Sequence, residues 1–151
     1  MPINLLPVKH IQQEERAGCL AAVAAMYLDF LGISIAQSSL YRLFGTTEFG
    51  AVRFKLARAE RYGARVIFGK NDEAALLHHL LNGQSVVLFV MTDELPYWDE
   101  LTQHALLIIG YQAGTYFVND PAFPTGPISV FEEDLMLAWS EFDYAYAIVT
   151  R

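Results

Sequence analysis

Thiol groups are almost absent from this chain of 151 residues, whose one cysteine is Cys19. A single cysteine cannot close an internal disulfide, and it cannot supply the thiolate set of a zinc or iron–sulfur centre. No metal or cofactor is expected, and a reducing compartment, the cytoplasm, suits the chain. Basic residues are also few, with 10 Lys and Arg against 17 Asp and Glu and a formal charge of -7. Nucleic-acid partners need clustered cations along the phosphate backbone, so no nucleic-acid partner is expected.

Long hydrophobic runs are missing too, although 54% of the residues are hydrophobic. The longest, Cys19 to Leu28, is stopped by Asp29 and falls well short of the roughly 18 residues that a membrane span needs. A soluble chain with a tight core and no membrane insertion is expected. The opening stretch MPINLLPVKHIQQEER lacks the basic start, apolar middle and small-residue cleavage site of an export signal. There is no repeat and no linker rich in Gly, Ser or Pro, so residues 1–151 are read as one domain.

What the chain does contain is ordered from helix to strand. Cys19 to Leu31 is rich in Ala, Leu and Met, which favours helix, and Gly32 supplies its stop. Ser38 to Phe44 reads as a second helix. Ala51 to Tyr62 reads as a third, amphipathic one, with Arg53, Lys55, Arg58 and Arg61 toward water and Gly63 at its end. Arg65 to Phe68 is a strand, and Asp72 caps a helix that runs to Leu81. Ser85 to Met91, His104 to Tyr111, Thr115 to Asn119 and Ala145 to Val149 carry strand composition. One late helix, Phe131 to Trp139, opens on the acidic Glu132, Glu133 and Asp134, which suit a helix N-terminus. The segregation predicts an α+β domain whose N-terminal helical half packs on a mostly antiparallel sheet.

Cys19 stands at the start of the first helix, where unpaired backbone N–H groups and the helix dipole lower a thiol pKa. His104 opens the strand HALLIIGY, placing an imidazole at a sheet end where it could take the thiol proton and return it to a leaving amine. Asp120 follows the strand TYFVN and precedes Pro121, from where its carboxylate could orient the histidine. Gln13, six residues before Cys19, could pair its amide with the Cys19 N–H as an oxyanion hole, with Gln12 as a competitor. Each has an ordinary alternative: a core cysteine, a hydrogen-bonded core histidine, a turn-forming Asp in Asn-Asp-Pro and a solvated Gln.

Gln13-x5-Cys19 followed by LAAVAAMYLDFLG, then QHALLIIGY and YFVNDPAF, resembles the papain-like cysteine peptidases that process bacteriocin and related double-glycine leader peptides, and their stand-alone bacterial relatives. The likeness extends through VRFKLARAERYGARV, LLNGQSVVLFV and LAWSEFDYAYAIV, and through the sixteen-residue interval from His104 to Asp120. It implies a papain-like fold and a peptide or protein substrate. Cys19 would be the nucleophile, His104 the general base and acid, Asp120 the orienting carboxylate and Gln13 the oxyanion-hole side chain. Many members carry an acidic residue before the cysteine and a glycine after it, where this chain has Gly18 and Leu20. Members of that family are commonly fused to a membrane transporter, so any transporter would here be a separate protein. Two other functions fit the same pattern: an acyltransferase or peptide ligase, and a domain that binds a leader peptide or partner protein without turning it over.

The segment Thr92 to Thr102, TDELPYWDELT, would form an acidic and aromatic rim near the cleft mouth, and Trp98→Ala is expected to raise KM with little effect on folding. His78 and His79 are adjacent rather than three or four apart, which does not suit metal ligation, and one of them is expected to face water. His10 has no assigned partner.

Overall fold

Small and straight-chain residues make the first element, and a glycine ends it. Helix α1 spans Cys19–Phe30, and the chain leaves it through Gly32 at φ 85°, a left-handed turn open to glycine without steric cost. Nearly every α1 side chain after Cys19 is buried, from Leu20 to Leu28, so the helix runs through the core instead of along the surface. Helix α2 follows at Gln37–Leu43. The computed structural model describes residues 5–151, and residues 1–4, including Pro2 of the opening stretch, lie outside the described residues.

Six strands form one sheet: β1 (Arg65–Lys70), β2 (Val86–Met91), β3 (Gln103–Gln112), β4 (Thr115–Asn119), β5 (Ile128–Phe131) and β6 (Ala145–Thr150), in the order β1-β6-β2-β3-β4-β5. Every pairing is antiparallel. Side chains alternate between two faces along a strand, and here both faces are covered. Val87, Phe89, Ala105, Leu107 and Ala147 pack with α1, α2 and the segment around Leu56. Val86, Leu88, Leu106, Ile108 and Ile148 pack with α3 (Glu73–Leu81) and α4 (Glu132–Ser140). Burial on both sides explains why β2 and β3 read as unbroken apolar runs instead of alternating ones. Each fully buried Leu, Val or Phe contributes about 1.5–3 kcal/mol, so the two central strands anchor the fold.

The α+β architecture matches the expectation, with three differences of detail. Arg53–Tyr62 is a 3₁₀ helix, and Arg53 is only partly turned to water. Its guanidinium carbon lies 4.7 Å from the Phe54 ring centre and 5.1 Å from that of Phe142, an arrangement that pairs a cation with aromatic faces. Strand β5, four residues long and directly after Pro127, adds an edge to the sheet, and α4 begins at Glu132 once that strand has ended. Helices α3 and α4 cover the sheet face opposite α1, so the N-terminal helices form one of two helical layers.

Candidate active site

The topology explains the spacing of His104 and Asp120. Strands β3 and β4 form a hairpin that turns at Ala113 and Gly114, at φ 46° and 86°, the two positive values that a tight hairpin turn requires. The start of β3 and the end of β4 are therefore neighbours, with Leu107 opposite Asn119. His104 Nε2 donates to Asp120 Oδ1 at 2.6 Å. Both residues are buried, with exposures of 6% and 0%. Helix α1 packs over the same sheet face, which sets its first residue, Cys19, above the start of β3.

The Cys19 thiol and the His104 imidazole face one cleft, near enough for the ring and the Ala105 backbone to act on the sulfur. With Nε2 committed to Asp120, Nδ1 is the ring nitrogen left for the sulfur. Burial opposes ionisation of Cys19, but the hydrogen bond from His104 and its charge outweigh burial and hold the thiol pKa below its ordinary value. Burial likewise works against a charged His104, yet Asp120 and Cys19 together raise its pKa to about 10. Asp120 is held below the usual carboxylate range, because the bonds from His104, Trp98 and Ala122 overcome its burial. A thiolate facing an imidazolium is the protonation state these three shifts favour.

Gln13 reaches the site by a strap. The segment before α1 lies along the sheet through Leu6 N–H to Ile109 O at 2.7 Å, and Asn119 Nδ2 donates to Val8 O at 3.1 Å. Gln13 N–H donates to Pro121 O at 2.7 Å, one residue past Asp120. Its side-chain Nε2 donates one proton to Arg16 O at 2.8 Å, leaving a second N–H. Gln12 points elsewhere: it is exposed, and its carbonyl accepts from Gln37 Nε2 at 2.7 Å.

At its N-terminus α1 is preceded by Gly18, with no side-chain cap. A Cβ built on Gly18 would lie 3.1 Å from Glu15 O and 3.5 Å from the Tyr41 ring. The acidic residue common at this position in the resembling peptidases would be crowded here.

A cleft of about 760 Å³ opens in front of the thiol, lined by Gln13, Cys19, Tyr97, Trp98, His104 and Phe123 with Glu48, Asp99 and Glu100 at its rim. A narrower apolar pocket of about 90 Å³, walled by Leu20, Phe89, Ala105 and Phe142, adjoins it and shares Cys19, His104 and Phe49. Phe49 is 91% exposed between them. A shallower depression of about 170 Å³ near Glu14 and Tyr41 does not include the thiol.

The segment Thr92 to Thr102 does border the cleft, but Tyr97 and Trp98 do more than rim it. Tyr97 Oη and Trp98 Nε1 each donate to Asp120 Oδ2 at 2.9 Å. Truncating Trp98 therefore strips a donor from the carboxylate, and its effect is not confined to KM. His10, unassigned from sequence, bonds through Nε2 to Phe123 O at 2.7 Å and pins the loop after Asp120. The sequence carries no local signal for these partners, which lie 22 or more residues from the groups they hold. His78 is exposed, while His79 Nδ1 bonds to Gln84 Oε1 at 2.8 Å.

Among solved structures the chain is similar in fold to a C39-like protein from Bacillus anthracis, at 21% identity and a TM-score of 0.79 over 100% of this chain and 99% of that one. It is also similar to the peptidase domain of Streptococcus ComA, a bifunctional ABC transporter involved in a quorum-sensing pathway, at 17% identity and 0.80 over 95% and 98%. A third likeness is to a double-glycine-motif protease from an AMS/PCAT transporter, solved with a leader peptide, at 16% identity and 0.75 over 97% and 93%. No curated protein sequence matches the chain. The family model described as Peptidase_C39 like matches residues 5–147, nearly the full length, and the chain belongs to that family.

Proposed function

We propose that residues 1–151 form one cysteine peptidase domain that hydrolyses a peptide bond through an acyl-enzyme on Cys19. The observation that carries this reading is the buried His104–Asp120 hydrogen bond beside Cys19 on one open cleft, where the imidazole lowers the thiol pKa. The thiolate attacks the scissile carbonyl carbon, a C–S bond forms, and the carbonyl electron pair moves onto oxygen. Gln13 Nε2–H and the Cys19 N–H are the donors for that oxyanion. As the C–N bond breaks, the His104 imidazolium gives its proton to the departing amine and becomes neutral. It then takes a proton from water, whose oxygen attacks the thioester. The C–S bond breaks, and thiolate and imidazolium are restored. Asp120 stays ionised throughout and holds the ring.

The substrate is an extended peptide. The cleft of about 760 Å³ has room for a stretch of peptide beside the thiol, and Phe49 offers an exposed aromatic surface where the cleft meets the smaller apolar pocket. Leader-peptide processing is the finer form of this reading, supported by the family and by the leader-bound double-glycine protease of similar fold. The reaction takes place in a reducing compartment, the bacterial cytoplasm. Among the described residues, no helix is long and apolar enough to cross a membrane.

The test is a peptide library digested by the protein and by its Cys19→Ala variant, with iodoacetamide alkylation followed against pH. Cleavage by the protein alone, with a thiolate that persists below the ordinary thiol pKa and is lost in His104→Ala, is expected. Slow alkylation with a midpoint near roughly 8.5, unchanged by His104→Ala, would overturn the reading.

A further inference from the structure

Asp120 accepts four hydrogen bonds although none of its surface is exposed. Oδ1 takes two, from His104 Nε2 at 2.6 Å and from the Ala122 N–H at 3.0 Å. Oδ2 takes the other two, from Tyr97 Oη and Trp98 Nε1, both at 2.9 Å. The mechanism above uses the first oxygen alone. A buried anion with one oxygen unpaired is strongly disfavoured, so the second oxygen needs its own donors for the first to serve the histidine as a carboxylate.

We propose that Tyr97 and Trp98 are positioning residues for the Cys19–His104 pair, acting through Asp120 Oδ2. The inference rests on the peptidase reading of the site. Both donors are neutral, so they hold the negative charge in place without cancelling the field that His104 feels. A cation at the same position would pair with Asp120 and weaken its hold on the imidazole. Tyr97 remains a donor over the working pH range, because burial and then the neighbouring Asp120 charge push its phenol well above its ordinary value.

The loop that carries the two donors is braced. Thr92 N–H bonds to Thr102 O at 3.0 Å and Thr102 N–H to Thr92 Oγ1 at 2.9 Å, which ties the loop ends together. Phe123 makes edge contacts with Tyr97 and Trp98, at ring-centre distances of 5.2 and 5.5 Å. Trp98 also meets the His104 ring at 4.8 Å and 62°, so one side chain fixes both the carboxylate and the plane of the imidazole. Cys19 from α1, Asp120 after β4 and Tyr97 from the loop are the titratable groups that act on His104 or its carboxylate, and Arg16, Glu48, Asp99 and Glu100 line the same cleft.

The experiment compares the wild-type chain with Tyr97→Phe, Trp98→Phe and the double variant. Each substitution removes a donor and keeps an aromatic ring. Iodoacetamide alkylation rate and thiolate ultraviolet absorbance are followed against pH, with Cys19→Ser as the blank, so no substrate has to be known. With a donor gone, Asp120 is held by fewer bonds and is free to turn from the imidazole, so the imidazolium loses its proton earlier, and the alkaline limit of the thiolate–imidazolium pair falls. A fall of about one pH unit for each single variant is expected, and more for the double. Loss of packing alone would lower the melting temperature without moving that limit. A wild-type profile with both limits present, and the same limits in all three variants, would overturn the proposal and leave the peptidase reading standing. A wild-type thiol that titrates as an ordinary one would bring down both. If one variant fails to fold, the other single variant decides.

Discussion

Helices α1 and α3 begin in opposite ways. At α3, Asp72 sits in extended backbone at φ -116° and ψ 177°, and its Oδ1 accepts from the Ala75 N–H at 3.0 Å. That is the ordinary way to satisfy the first-turn donors of a helix. At α1 the flanking residue is Gly18, at φ -96° and ψ 23°, and no side chain caps the turn. A capped terminus stabilises the helix behind it. An uncapped one leaves its N–H groups and the positive end of the dipole open at the residue that starts the helix, here Cys19. Local stability was forgone at one helix end, and this end borders the cleft.

The strongest test of the open terminus removes the partner that it works with. His104→Ala takes away the group that accepts and returns the proton, and peptide hydrolysis is expected to fall on the order of a thousandfold. Denaturant unfolding should show a much smaller change than the activity assay. A loss of activity matched by loss of fold would mean that His104 is a core residue first.

Asp120→Asn is the next largest effect, and pH reads it best. In the native site the imidazolium persists up to about 10. Activity is therefore expected to hold from the lowered Cys19 pKa up to that limit, and to fall as pH rises through it, when His104 loses its proton. An Asn amide keeps an acceptor for Tyr97 and Trp98 but would turn its NH₂ toward His104 Nε2, where a donor already stands. The ring must then either lose that proton or move. The alkaline limit is expected to drop by about two units, with a lower kcat inside the remaining window. An unchanged alkaline limit in a pH–rate profile would show that the carboxylate charge does not govern the imidazole.

Asp72→Ala tests the other helix. Loss of this cap is expected to cost about 1 kcal/mol, visible as a lower melting temperature, while hydrolysis at a temperature where both proteins are folded stays the same. A fall in activity would mean that α3, on the far face of the sheet, is coupled to the cleft.

How far the sequence revealed all this depends on how local each signal was. Helix α1 announced itself through Ala-rich composition and Gly32, and the apolar runs of β2 and β3 through length and branching. His104 and Asp120 could be paired because a hairpin converts their spacing into adjacency. The 3₁₀ form of Arg53–Tyr62 was not visible, since the same polar and apolar pattern serves an α-helix. Strand β5 was hidden by its four residues and by the Pro127 before it. Arg53 reads as a solvated charge until the Phe142 ring, distant in sequence, is brought beneath it. The donors to Asp120 Oδ2 were beyond reach for the same reason: Tyr97 and Trp98 look like any aromatic pair in a charged loop until folding presents the buried carboxylate to them.

The smallest effect addresses why the α1 terminus is open, whether for want of a capping side chain or because the backbone forbids one. Gly18→Ser supplies the side chain. A capping hydroxyl needs extended backbone to reach the N–H two or three residues on, and Gly18 does not have it. The new Cβ would meet Glu15 O at 3.1 Å, a contact that has to be relieved by a small shift. Adding the serine is therefore expected to change stability by a few tenths of a kcal/mol in the unfavourable direction, and to leave the alkylation profile of Cys19 where it was. A gain of about 1 kcal/mol together with slower alkylation would show instead that the terminus had rearranged into a capped one. The backbone entering α1 would then be free to choose, and glycine, through its missing side chain, would be what keeps those N–H groups available to the thiol.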